Sequence, residues 1–280
     1  MHCHSTASDG QFAPEAVALR AHEVGLAAIA LTDHDTLSGV EGATSAARAL
    51  AVRVVAGCEF SVRATWGELH LLAYFLPQGN PALDGFLADA RAARERRGAK
   101  MVEKLQRLGV EIDLEDLAYQ VGAGAVGRPH VARALVDAGV VQDLEEAFAR
   151  FLGRGRPAFV DKPLPELREV TELVHGVRGL VVAAHLGERG QEPLLRAFQA
   201  EGLDGVEVRH PSHSKHLQNR LLKLARRLDL AISGGSDWHG EDDLATHAPL
   251  GGMDVPMEWL EELEKRRDKT YGNQRQETAS

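Results

Sequence analysis

The strongest constraint on this chain is a rhythm. Short apolar runs alternate with amphipathic helical segments over residues 1–75, and again over 165–237. Runs of four to eight apolar residues, bounded by turn signals, read as strands buried on both faces. The opening "MHCH" reads as a first strand, 26–31 as a second, 52–57 as a third and 68–75 as a fourth. Residues 179–185, 204–210 and 230–237 read as the fifth to seventh. The gaps carry helix signals. Pro14 stands near the start of the first helix and Gly25 at its end, and 165–176, 191–201 and 214–228 fill the later gaps. Such alternation predicts an α/β fold with a parallel sheet. Seven strands, each followed by a helix, predict a distorted (β/α)7 TIM-like barrel, one unit short of the eight-fold form.

The rhythm stops between Asn80 and Pro157. A long charged segment, "ALDGFLADARAARERRGAKMVEKLQRLG", and the shorter "RPHVARALVDAG" and "DLEEAFARFLG" read as helices with no strand between them. The predicted organisation is a barrel made of 1–78 and 158–265, an inserted small helical domain or lid at 79–157, and a polar tail at 266–280. The tail belongs to the stretch "EKRRDKTYGNQRQETAS", expected to fray. The 280 residues are enough for one large barrel.

Composition narrows the function classes. No run approaches the roughly 18 apolar residues of a membrane span, and no leader segment is read at the start. Cys3 and Cys58 make no disulfide framework. A cytoplasmic setting is expected. The net charge of -9 argues against a broad nucleic-acid surface, so phosphate recognition should be local.

The polar residues fall in register with the strands. His2 and His4 lie on strand one, two apart and therefore on one face, with Asp9 in the following loop. Strand two runs into Asp33, His34 and Asp35, and strand three into Glu59. His70 lies on strand four and His185 ends strand five. Glu207, His210 and His213 end strand six, and strand seven runs into Asp237 and His239. Active sites of barrels are built at that end of the strands. A single histidine there is ordinarily structural, Asp33 or Asp35 alone could cap a helix, and Glu59 alone could be an ion-pair partner. Independent structural roles would not recur at the same end of nearly every strand. Histidine with carboxylate suits borderline divalent metals. About nine donors exceed the four of a single tetrahedral site and suggest two or three ions. Ions roughly 3.5–4 Å apart are suited to phosphate-ester hydrolysis.

"HCHSTASDG", "TDHDT", "GCEFS", "ELHLLAYF", "AAHLG" and "GSDWHG" together resemble the motifs of the polymerase-and-histidinol-phosphatase (PHP) superfamily, over roughly 1–77 and 158–255. The pattern is most similar to the bacterial branch with a helical insertion. Its members hydrolyse 3',5'-bisphosphate nucleotides, and some act as 5'-to-3' exoribonucleases on short RNA. The resemblance implies the PHP fold and a site for three divalent ions, manganese first, with iron or zinc as alternatives. It implies one position held by His2, His4, Glu59 and Asp237. A second is held by Glu59, His70 and His185, with Glu59 bridging, and a third by Asp9, His34 and His239. One departure is that Met1 directly precedes His2, where relatives carry several residues; a start upstream or a short first strand is expected.

A metal-activated hydroxide attacking phosphorus needs no protein nucleophile, but the leaving alcohol needs a proton. Asp35, His210 and His213 lie outside the ligand set and are candidates, His213 equally as a phosphate ligand. In the insertion, Arg91, Arg94 and the neighbouring Arg97 or Gly98 share a helical face whose ordinary reading is solvated. Arg128 and His130 stand at a helix start, where backbone N–H groups favour an anion. The resemblance favours a lid that grips phosphate through Arg94, Arg128 and His130. Arg154 and Arg156 read as marking the return to the barrel. Cys3 and Cys58 read as packing, His22, His175, His216 and His247 as surface residues, and Trp238 as packed against the barrel.

The expected activity is a metal-dependent phosphoesterase converting 3',5'-bisphosphate nucleotides to 5'-monophosphates and phosphate. The competing readings are a 5'-3' exoribonuclease on short 5'-phosphorylated RNA, a histidinol phosphatase, and a non-catalytic metal-bound scaffold. A small phosphorylated nucleotide or short RNA is the expected partner, with no membrane and no protein partner implied.

Overall fold

The computed structural model describes residues 1–121, 124–241 and 248–272. The chain begins with α1 (Pro14–Glu23), β1 (Ala28–Leu31), α2 (Val40–Ala47), β2 (Arg53–Ala64) and β3 (Gly67–Tyr74). Helices α3 (Pro81–Arg107), α4 (Leu114–Val121), α5 (Arg128–Asp137) and α6 (Leu144–Ala147) follow. The remainder is α7 (Leu167–Gly176), β4 (Leu180–Ala183), α8 (Glu192–Ala200), β5 (Gly205–Arg209), α9 (Lys215–Arg227), β6 (Ala231–Gly234) and α10 (Met257–Tyr271).

The six strands form one curled sheet in chain order. β1 with β2, β4 with β5 and β5 with β6 are parallel. β2 with β3, and β3 with β4, are antiparallel. Strict strand–helix alternation is therefore corrected at one place. Only Thr65 and Trp66 separate β2 from β3. So short a link forces a hairpin, since a parallel crossover needs a dozen residues or more. Gly67, at φ +124°, supplies a backbone that other residues rarely adopt.

The first predicted strand is also different. Among residues 1–4 only Cys3 pairs, through single-residue parallel bridges to Leu31 and to Trp238. The Met1–His4 segment thus lies between the two edges of the sheet, tied by His4 N–H to Trp238 O (2.9 Å) and Thr32 N–H to Cys3 O (3.0 Å). Gly235 permits this approach, because a Cβ there would sit 2.3 Å from His2 Cβ and 2.5 Å from His2 N. Gly235→Ala should destabilise the protein by about 1–3 kcal/mol, the usual cost of forced overpacking. Urea unfolding of the metal-free protein measures it; an unchanged midpoint would show that the segment moves aside freely.

Of the hydrophobic cores, two bear on the site. Phe60, Leu71, Val181, Leu195, Val206 and Leu221 belong to the larger one, between sheet and helices. α9 shows how a helix joins it: Ser214 caps its N-terminus by accepting from Leu217 N–H, and Leu217, Leu221, Leu224 and Ala225 are buried along one stripe. Helices α3 to α6 and the segment after them have their own core, including Met101, Leu105, Leu117, Val131, Leu135, Leu152 and Ala158. Helix α3 belongs to both. Asn80 caps it, Leu83 and Leu87 enter the larger core, and Met101, Val102 and Leu105 enter the smaller one.

The polar stretch from Glu264 is helical as far as Tyr271, not frayed. Leu260 and Leu263 are buried, the Arg266 guanidinium donates to Asp229 O, and Tyr271 O–H donates to Gly179 O. His247 and residues 273–280 lie outside the described residues. His175, expected at the surface, is half-buried with Nε2 2.8 Å from Asp204 Oδ2. Among the described residues no helix is long and apolar enough to cross a membrane.

Candidate metal centre

The strand ends deliver their polar side chains through unusual backbone. Asp35, His185 and Asp237, just beyond β1, β4 and β6, have φ of +55°, +28° and +49°. Such left-handed residues cost on the order of 1 kcal/mol each and persist only where the surroundings fix them. Glu59 and His70 arrive differently, from the interior of the β2–β3 hairpin rather than from strand ends. His70 pairs with Ser61, so Glu59 is its diagonal neighbour on one face.

Glu59 is the hub. Its Oε2 lies 3.2 Å from His2 Nε2, 3.1 Å from His4 Nε2 and 3.5 Å from His34 Nδ1. Its Oε1 lies 2.8 Å from His70 Nδ1 and 3.2 Å from His185 Nε2. Asp237 Oδ1 adds contacts of 3.0 Å to His2 Nε2 and 3.1 Å to His4 Nε2. Asp9 lies 3.7 Å from His34 Nε2 and 3.4 Å from His239 Nε2. All nine residues expected to bind metal converge on one place. The donor atoms of His2, His4, Glu59 and Asp237 lie within 4.8 Å of one another, as do those of His4, Asp9, His34 and His239, and those of His34, Glu59 and His70.

The donor set fits divalent ions. His4 has both ring nitrogens, and His34 its Nδ1, buried without a hydrogen bond of acceptable geometry. Buried polar atoms are normally satisfied, so such atoms indicate a missing electrophile. Burial disfavours a charged His70, yet Glu59 and Glu68 outweigh it and raise its pKa to about 10. Burial likewise opposes protonation of His4, but Asp237 and Glu59 raise it to about 9. Burial dominates at His34, pushed down to about 3 and so neutral. Glu59 stays well below the usual carboxylate range, its burial cost outweighed by His34, His2 and His70.

Beside this cluster lies a second one. Arg94 Nη2 donates to Asp35 Oδ2 at 2.9 Å, and Lys162 Nζ to the same oxygen at 3.3 Å. Arg128 Nη2 donates to Glu68 Oε2 at 3.1 Å, while Glu68 Oε1 lies 3.7 Å from Lys162 and 3.5 Å from His70 Nε2. Burial would raise the Asp35 pKa, but Lys162 and Arg94 lower it. An ionised carboxylate has no proton to donate. Asp35 therefore fits the role of counter-ion to two cations, not the proton donor expected of it.

His213 is also corrected. Its Nδ1 is 3.0 Å from Val208 O and its Nε2 accepts from Gly187 N–H at 3.1 Å, so the backbone engages both nitrogens and neither faces a substrate. His130 Nδ1 accepts from Gly127 N–H and closes the start of α5 next to Arg94, since a Cβ on Gly127 would lie 3.3 Å from Arg94 Nη1. His210 does join the cluster. Its Nδ1 accepts from Ser212 N–H, which leaves Nε2 to carry the proton, 3.4 Å from Asp237 Oδ2. Trp238 is buried and stacks on Phe12, ring centroids 5.2 Å apart. Cys3 and Cys58 are buried free thiols.

Sequence reasoning missed Lys162 and Glu68 and gave Glu207 no role. Lys162 lies in "FVDKPLPEL", a segment without periodicity, and nothing local marks it. Glu68 and Glu207 share one strand-facing signal, a carboxylate within an otherwise apolar strand. Such a group is seldom buried unless paired.

The PHP domain profile matches residues 1–77. The chain is 32% identical to a 5'-3' exoribonuclease of Haemophilus influenzae, over 85% of this chain and 89% of that one. It is 32% identical to a 3',5'-nucleoside bisphosphate phosphatase of Chromobacterium violaceum, over 91% and 89%. A crystal structure of a metal-dependent phosphoesterase candidate from Bifidobacterium adolescentis superposes with a TM-score of 0.87 at 35% identity, covering 95% of this chain and 94% of that one.

Proposed function

This chain belongs to the PHP family and is a phosphate-ester hydrolase, and from that premise we propose that it removes a phosphate monoester from small nucleotides. Its substrates on this reading are 3',5'-bisphosphates, which become 5'-monophosphates plus phosphate. The observation that carries the reading is the junction of the two clusters. Glu68 touches His70 on one side and Arg128 and Lys162 on the other, so two cations stand one carboxylate away from the donor set.

Three divalent ions fit the proposal, manganese first, with iron or zinc as alternatives. His2, His4, Glu59 and Asp237 would hold one, Glu59, His70 and His185 another, and Asp9, His34 and His239 the last. When bound, such ions supply a hydroxide at neutral pH and neutralise phosphoryl charge. The chain's own residues do the rest. Glu59 holds both halves of the donor set together. Arg94, Lys162 and Arg128 meet phosphate oxygens, and His130 braces the helix start that carries Arg128. His210 would protonate the leaving alcohol from Nε2 as the imidazolium, with Nδ1–H then donating to Ser212 Oγ, 2.7 Å away. The curled sheet with Met1–His4 is read as a distorted seven-stranded barrel made of 1–78 and 158–265, with 79–157 as its lid, working in the cytoplasm.

A second reading, 5'-3' cleavage of short RNA, is supported by the similarity to the H. influenzae protein. The net charge of -9 and the local placement of the cations favour short substrates under either reading. Manganese-loaded protein should release phosphate from adenosine 3',5'-bisphosphate. A 5'-phosphorylated RNA pentamer scored for mononucleotides tests the second reading. Turnover of histidinol phosphate alone would sink both, and no turnover with metal bound would leave the scaffold reading. Lys162→Ala should raise KM for the bisphosphate by about 10-fold or more with a smaller change in kcat, since a charged hydrogen bond is worth about 1.5–3 kcal/mol. An unchanged KM removes Lys162 from substrate binding.

A further inference from the structure

Glu207, in the middle of β5, is fully buried, and neither of its oxygens faces the proposed substrate. Oε1 lies 3.0 Å from His2 Nδ1, and Oε2 accepts from His185 N–H at 2.9 Å. An ionised carboxylate only accepts hydrogen bonds, so the first contact requires the proton on His2 Nδ1. The lone pair of His2 is thereby placed on Nε2, the atom facing Glu59 and Asp237. The second contact clamps the backbone of His185, whose φ of +28° is a conformation a histidine does not hold without support.

We propose that Glu207 is a positioning residue serving two proposed metal positions at once: it sets the tautomer of His2 and locks the backbone that presents His185. The inference rests on the metal reading of the site. A carboxylate behind a ligating histidine fixes its tautomer and orientation, and its loss typically weakens metal binding about 10–100-fold. Here one side chain ties together two proposed ligands far apart in the chain, His2 and His185, and both of those touch Glu59. The group of Asp9, His34 and His239 receives nothing from it. His2, Glu207 and His210 also come close enough together for a direct metal contact, an alternative that the test below separates from the positioning role.

The test is metal titration of full-length wild type and Glu207→Gln by calorimetry, with bound metal counted after gel filtration, and 15N-histidine NMR of the zinc-loaded wild type. A glutamine oxygen can accept from only one of the two donors, and its amide opposes the other. The expected result is about 10–100-fold weaker binding at the two positions sharing Glu59, with the remaining position unchanged. The NMR should show His2 protonated on Nδ1. Equal affinity at every position in Glu207→Gln overturns the proposal. So does an Nε2–H tautomer at His2, which decides the matter even if the variant does not fold. Direct coordination by Glu207, seen as an extra ion lost with the substitution, overturns it too. A wild type that binds no divalent ion is a different failure, that of the proposed function itself.

Discussion

Glu59→Gln lowers turnover by on the order of 10³-fold, about 4 kcal/mol of transition-state stabilisation, while leaving the fold in place. The size follows from the connectivity. One carboxylate contacts five histidines, and its two oxygens divide them between the His2–His4–His34 side and the His70–His185 side. Glutamine keeps the shape but loses the charge and one acceptor, so it would hold the ions of the proposed centre less tightly. The backbone is insensitive, because Glu59 sits in a twelve-residue strand paired on both sides. The check is kcat on adenosine 3',5'-bisphosphate together with metal content and circular dichroism. A variant with full metal and wild-type kcat contradicts the bridging role.

Chelation has the second large effect, and it depends on pH. In the metal-free protein His4 and His70 have pKa values raised to about 9 and about 10. A histidine raised above its unfolded value of about 6.5 stabilises fully below that value and loses the contribution as pH rises through the folded pKa. The metal-free protein therefore loses this support progressively above pH 6.5. Ions bind deprotonated ligands, so the loaded protein gains over the same range. The gap in Tm between loaded and chelated protein should widen from pH 6 to pH 9. Each ion at 100 times its Kd adds about 2.7 kcal/mol, roughly 5–10 °C for a chain of this size. Differential scanning fluorimetry at several pH values measures it. A gap that narrows with pH would mean that these histidines do not bind metal.

The donor set was legible because barrel geometry converts chain order into convergence. His2, His34, His185 and Asp237 could be assigned to a common centre from their positions relative to apolar runs alone. Glu59 and His70 were found for a partly mistaken reason: both were read against isolated strands, whereas the β2–β3 hairpin places them side by side. The hairpin was missed because two residues of turn, Thr65 and Trp66, were too small a signal against the surrounding rhythm. Charge pairing was the least legible level. Asp35 and Lys162 are 127 positions apart and meet only through tertiary packing. A sequence shows that a carboxylate is present but not which cation holds it ionised. His213 shows the same limit, since only the fold reveals that the backbone already engages both of its nitrogens.

Helix α3 has a mechanical consequence. It runs for 27 residues, about 40 Å. Its first turns are anchored by Leu83 and Leu87 in one core and its last by Met101 and Leu105 in the other. Arg94 lies between these anchors, roughly 10 Å before Met101. A rigid beam fixed at one end displaces its points in proportion to their distance from the anchor. If the helical unit tilts, Arg94 moves least and stays with Asp35, while Arg128, carried on α5, sweeps a wider arc. On such a tilt Arg94 would act as a fixed jaw and Arg128, once released from Glu68, as a moving one, with α3 as the fulcrum between them.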